Sequence, residues 1–193
     1  MKTITLTEGR FYDLIRESVL EALACLGASY NNVRLLAHDV KSGDSDAIEM
    51  AAILMSKKVP ANSILIPIPN HGGRADYTLK MAARIAQLSK SEVLDIITAI
   101  PRKNTLYTAK KQNKWIADEI TLGFRVVRDN HVAQKIQRAR NVILIDNVVD
   151  SGMTYQQAEK AVRDAYGVKP WMLSLGAVEN PKDTSRDIIR SVF

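Results

Sequence analysis

One cysteine, Cys25, occurs among 193 residues. A lone cysteine excludes an intrachain disulfide framework and any multi-cysteine zinc module. It reads as a small helix-face residue kept reduced. The histidines are as sparse: His38, His71 and His131 have no metal-ligand spacing, and His38 and His131 are expected to be structural or solvated. No stretch approaches the ~18 consecutive apolar residues of a membrane span, so no membrane partner is expected. The opening MKTITLTE lacks the apolar core of a secretory signal, and the expectation is a cytoplasmic protein. Internal repeats, low-complexity tracts and an interdomain linker are also missing.

What is present has globular proportions. Hydrophobic residues make up 46% and charged ones 25% of the chain, which argues against wholesale disorder. The length suits one compact domain or one domain with an appendage. Lys and Arg exceed Asp and Glu by 27 to 21, a net charge of +6. That excess favours phosphate-bearing partners over cationic ones, but solvated surface lysines account for it, so it does not alone imply nucleic-acid binding.

The hydrophobic pattern alternates helices with short apolar runs. Thr7 is placed to cap a helix burying Phe11, Leu14, Ile15, Ala22 and Leu26, and a second helix starts near Asp44 and carries Ile48, Ala51, Ala52 and Met55. Residues 64–68 form a buried strand closed by Pro67, Pro69 and Asn70. Asp76 opens a third helix through Leu79, Ala82, Ala83 and Ala86. Strands are expected at 93–97, 124–127, 142–145 and 172–178, with a helix from about Thr154 to Tyr166. Apolar strands alternating with helices predict a doubly wound, mostly parallel α/β sheet covered on both faces. It is preceded by a helical segment, giving the division 1–60 and 61–193.

The most informative stretch is 141–154, NVILIDNVVDSGMT. Val142, Ile143, Leu144 and Ile145 make a strand ending on Asp146. After Asn147, Val148 and Val149, the run Asp150, Ser151, Gly152, Met153 and Thr154 turns into a helix. A strand that passes through a Gly-containing turn into a helix gathers free backbone N–H groups at the positive end of a helix dipole, which makes an anion site. Ser151 and Thr154 add hydroxyl donors, and Gly152 allows close backbone approach. Carboxylates beside an anion site make sense if the ligand carries hydroxyls or Mg²⁺ near its phosphate, as a phosphorylated sugar does.

These residues resemble the 5-phosphoribosyl-1-pyrophosphate (PRPP) motif of type I phosphoribosyltransferases: an apolar run, two acidic residues, two apolar residues and a short Thr/Ser-Gly-x-Thr loop. The departure is Asn147, where the family usually has a second carboxylate. Asn can still hydrogen-bond a ribose hydroxyl but supports Mg²⁺ less well. Asp150 is also the position of a proposed proton acceptor in the 6-oxopurine members, and could equally be a helix cap.

Residues 64–86, ILIPIPNHGGRADYTLKMAARIA, are similar to the first strand, pyrophosphate loop and helix of the ComF-type (competence-related) members. On that resemblance the backbone of His71, Gly72 and Gly73 and the side chain of Arg74 hold pyrophosphate, the Arg fork offering paired donors. A third element contains Arg102, Lys103, Lys110, Lys111 and Lys114 with no acidic residue among them. In the superfamily a mobile loop here closes over PRPP. The alternatives are a solvated charge run, or a nucleic-acid patch, which is disfavoured because only Tyr107 and Trp115 interleave as stacking residues. The ComF-type cysteine-rich module is missing.

The resemblance implies a PRPP-dependent transferase that moves ribose 5-phosphate to a nitrogenous acceptor. Asp146, Asp150 and Arg74 would be catalytic, and residues 151–154 would hold the 5-phosphate. Asp146 would be the candidate protein contact to an Mg²⁺ held mainly by PRPP. A homodimer is expected. The alternatives are a PRPP- or nucleotide-binding regulatory module without turnover, favoured by Asn147, and a ComF-like protein linked to DNA uptake.

Overall fold

A computed structural model describes residues 33–102, 122–149, 152–177 and 189–191. Two helices come first, α1 (Val33–Ser42) and α2 (Ser45–Ser56). The side chain of Asp44 accepts the Ala47 N–H at 2.8 Å and so caps α2, which starts near Asp44 as the sequence predicts. Strand β1 (Ile64–Pro67) then leads into α3 (Asp76–Ser89), followed by the short strands β2 (Glu92–Val93), β3 (Ile97–Thr98) and β4 (Arg125–Val126). The rest of the described chain is α4 (Asn130–Arg138), β5 (Val142–Val149), α5 (Met153–Tyr166), β6 (Trp171–Ala177) and β7 (Ile189–Ser191).

Five strands form one sheet in the order β2-β1-β5-β6-β7, and every pairing in it is parallel. Alternation along the strands sorts side chains to its two faces. Leu65, Ile143, Ile145, Leu173 and Leu175 pack with Leu36, Met50, Leu54, Met81 and Ile85 from α1, α2 and α3. Ile66, Leu144 and Met172 pack on the opposite face with Ile136 of α4 and Tyr155, Ala158 and Val162 of α5. The sheet is thus covered on both sides, which is the doubly wound α/β arrangement expected, and α1 and α2 are part of its core.

Several boundaries differ from the sequence reading. The expected strand at 93–97 is two pieces, because Asp95 interrupts the apolar run; β3 leaves the main sheet and pairs antiparallel with β4, Ile97 opposite Val126. The strand expected to end at Asp146 runs on to Val149, carrying Asp146 and Asn147 within it. Helix α4 was not anticipated. Its apolar stripe is short, Val132 and Ala133 packing beside the buried Ile136, and Asp129 caps it by accepting the N–H groups of His131 (2.8 Å) and Val132 (3.0 Å). The helix expected to begin at Thr7 lies outside the described residues.

Candidate functional site

The chain leaves β1 through α3 to reach β2 on one side, then returns to place β5 on the other side of β1. Because parallel crossovers share one hand, this reversal puts α3 and α5 on opposite faces and opens a crevice beyond the carboxyl ends of β1 and β5. Ile145 lies opposite Pro67, and the Ile68 N–H reaches the Ile145 carbonyl at 3.0 Å. The loop after β1 and the start of α5 therefore issue from neighbouring strands at the same edge of the sheet.

The loop at 70–74 is tightly folded on itself. Asn70 N–H donates to the Arg74 carbonyl at 2.9 Å and Gly73 N–H to the Asn70 carbonyl at 3.0 Å. Gly72 N–H donates to Asn70 Oδ1 at 2.6 Å, while Asn70 Nδ2 donates to Asp76 Oδ2 at 2.8 Å. Gly73 has φ +87°, and a Cβ there would lie 2.5 Å from the Ala99 carbonyl oxygen. Only glycine meets both constraints. The expectation that the amides of Gly72 and Gly73 stand free for pyrophosphate is corrected: both are engaged within the loop. His71 and Arg74 are exposed.

Arg102 belongs to this loop more closely than a position on a mobile lid implies. Its N–H donates to the His71 carbonyl at 2.8 Å, next to the bond from Ala99 N–H to the Gly73 carbonyl at 3.0 Å. Its Nε and Nη1 are buried without a hydrogen-bond partner among the described residues. Burial lowers the guanidinium's pKa. A half-buried cation with unmet donors is costly unless an anion completes it. The other end of the basic segment returns nearby: Ile100 N–H donates to the Leu122 carbonyl at 3.3 Å, and Leu122 N–H to Gln157 Oε1 of α5 at 2.7 Å. Lys103, Lys110, Lys111 and Lys114 lie outside the described residues.

Helix α5 starts at Gly152, buried and left-handed at φ +75°, with no side chain capping it among the described residues. The first-turn N–H groups, those of half-buried Met153 and Thr154 included, are left without an intrahelical acceptor by helix geometry. Asp150 and Ser151 lie outside the described residues.

Asp146 and Asn147 are adjacent but serve opposite faces of β5. Burial raises the Asp146 carboxyl to about 7, a shift that the Asn147 N–H (2.8 Å to Oδ1) and the Lys41 charge only partly offset. Asn147 is 8% exposed; its Nδ2 donates to the Ala37 carbonyl of α1 at 3.2 Å, and its Oδ1 accepts the Tyr77 hydroxyl at 3.4 Å. The expectation that Asn147 faces a ribose is corrected, since both of its side-chain polar atoms are used inside the protein. Tyr77 is pushed up by burial and by the charges of Asp146 and Asp76. Beside Asp146 in the sheet register lies Ser174, 0% exposed, its hydroxyl without a partner among the described residues. Sequence reasoning missed Ser174, because a serine inside an apolar strand gives no signal until its neighbour is known.

No protein-family model matches the chain, and no curated protein matches it. Solved structures do. One is a hypothetical protein from Neisseria gonorrhoeae with bound ppGpp, 14% identical, covering 76% of this chain and 77% of that chain with a TM-score of 0.46. Among the described residues no group of three or more His, Cys, Asp or Glu could hold a metal ion. No described helix is long and apolar enough to cross a membrane.

Proposed function

We propose that this chain binds a phosphorylated ribose of the PRPP type in the crevice beyond β1 and β5 and transfers ribose 5-phosphate to a nitrogenous acceptor, releasing pyrophosphate. The observation that carries this reading is the convergence at one sheet edge of a helix start, a carboxyl in β5 and a half-buried guanidinium, the helix start uncapped and the guanidinium's donors unmet among the described residues. The first-turn amides of α5 would hold the 5-phosphate. Asp146 would accept the sugar hydroxyls, and Arg102, with exposed Arg74, would neutralise the leaving pyrophosphate. As the C1–pyrophosphate oxygen bond breaks with its electron pair, positive charge grows on the ribose ring until the acceptor nitrogen bonds to C1. Holding both phosphates fixed therefore lowers the barrier. Mg²⁺ bound to the diphosphate would spread its negative charge.

A binding module of the same fold, without turnover, is the second reading. It is favoured by the internal engagement of Gly72, Gly73 and Asn147, which leaves fewer ligand-facing groups than the resemblance implies.

Thermal unfolding with Mg²⁺–PRPP and pyrophosphate release with a panel of bases test both. Ligand present at a hundredfold excess over Kd stabilises by about 2.7 kcal/mol. A shift with pyrophosphate release supports the transferase, and a shift without release supports the binding module. No shift with PRPP, ribose 5-phosphate or any nucleoside 5-monophosphate refutes both.

A further inference from the structure

We infer that Asn147 is a structural tie: it joins the carboxyl end of β5 to helix α1, and leaves Asp146 as the sugar-facing acid among the described residues of the β5 end. The inference rests on the proposed reading only in taking Asp146 as the ligand-facing group.

Three polar groups of Asn147 are committed in three directions. Its backbone N–H holds Asp146 Oδ1 at 2.8 Å, its Nδ2 reaches the Ala37 carbonyl at 3.2 Å, and its Oδ1 receives the Tyr77 hydroxyl at 3.4 Å. The tie spans 110 residues of sequence, and it joins the two elements, α1 and α3, that cover this face of β5. Ile143 and Ile145 pack with α1–α3, and the bonds of Asn147 to Ala37 and Tyr77 place it on the same side.

The chemistry of the contacts explains why the residue is an amide. The Ala37 carbonyl can only accept, and the Tyr77 hydroxyl donates to Asn147. A group that donates on one side and accepts on the other fits between them. An ionised carboxylate accepts on both sides, so it would set an acceptor against the Ala37 oxygen and add a second negative charge beside Asp146 in a buried setting. The departure from the usual acidic pair is therefore matched to α1, and replacing it should not recreate a metal-supporting dyad.

Nuclear magnetic resonance of the wild-type side-chain amide tests the assignment directly. The Asn147 NH₂ protons should be protected from solvent exchange, give cross-relaxation to α1 and Tyr77, and keep that protection when MgCl₂ is added. A freely exchanging amide would overturn the inference. The variants Asn147→Asp and Asn147→Leu should each lower the melting temperature at neutral pH and speed hydrogen exchange in residues 33–42 more than in 153–166. Asn147→Asp should leave affinity for Mg²⁺ alone within about twofold of wild type. A tenfold gain in that affinity, or variants as stable as wild type with unchanged exchange in α1, would refute the tie. If Asn147→Asp does not fold, the wild-type amide and Asn147→Leu still decide the matter. Failure of PRPP to bind would refute the proposed function but leave these readouts unaffected.

Discussion

Asp146 occupies a position where burial opposes its charge, and this has a defined pH signature. Its carboxyl titrates near 7 in the folded chain against an ordinary value of 3.8. The folded state therefore holds a proton that the unfolded state releases between these values. Stability from this group is fully present below about pH 4 and is lost as pH rises through 7, by at most about 4 kcal/mol at 1.36 kcal/mol per unit. Asp146→Asn removes the titration. The melting temperature of the variant minus that of wild type should increase from pH 4 to pH 7 and level off above it. A flat difference would show that the carboxyl is ordinary. Arg102 provides the complementary case. Arg102→Met removes a half-buried charge whose Nε and Nη1 have no partner among the described residues, so the free protein should be as stable as wild type or more so. The same change should weaken pyrophosphate binding by about 1.5–3 kcal/mol, the range for hydrogen bonds to charged groups. Calorimetric titration beside thermal melts separates the two effects. Among these residues the sequence reading misplaced Asn147. A polar residue at a strand end reads as exposed, and its partner Ala37 lies too far along the chain for any spacing rule to reveal.

Most elements whose apolar residues recur on one face were legible in advance, but α1, which buries Leu36, Ala37 and Val40, was not. Helices α2 and α3 begin at Ser45 and Asp76, where the Asp44 cap and the Asp76 start signal place them, and α5 begins one residue before the expected Thr154. Where polar residues intrude, the pattern weakens. Asp95 split one strand, Asp146 and Asn147 masked the second half of β5, and α4, whose stripe is only Val132, Ala133 and Ile136 in nine residues, escaped notice. Gly73 shows what the loop between two such elements requires. Gly73→Ala would force a left-handed φ on alanine and press its Cβ toward the Ala99 carbonyl 2.5 Å away. A loss of roughly 1–3 kcal/mol is expected from that strain. The loss should appear as a lower denaturant midpoint with an unchanged slope. Gly167→Ala is the control, since it has φ +74° but nothing within 4 Å of a built Cβ, and it should lose less.

For the molecule as a whole, the stem beneath the basic segment has a consequence for how the chain could be altered. Ile100 and Leu122 are joined by a backbone hydrogen bond of 3.3 Å, and β3 and β4 pair directly behind it. The described chain thus stops at Arg102 and resumes at Leu122 beside the same stem. Such a junction allows exchange of everything distal to it, since closing a longer or shorter excursion across fixed ends changes the entropy only slowly with length. Replacing residues 103–121 with a short Gly-Ser connector should leave the melting temperature of the free protein within a few degrees of wild type, and a loss of folding would place part of the core beyond the stem. Relatives built on the same sheet could accordingly diverge by swapping this one excursion, acquiring new chemistry at the crevice while inheriting the fold intact.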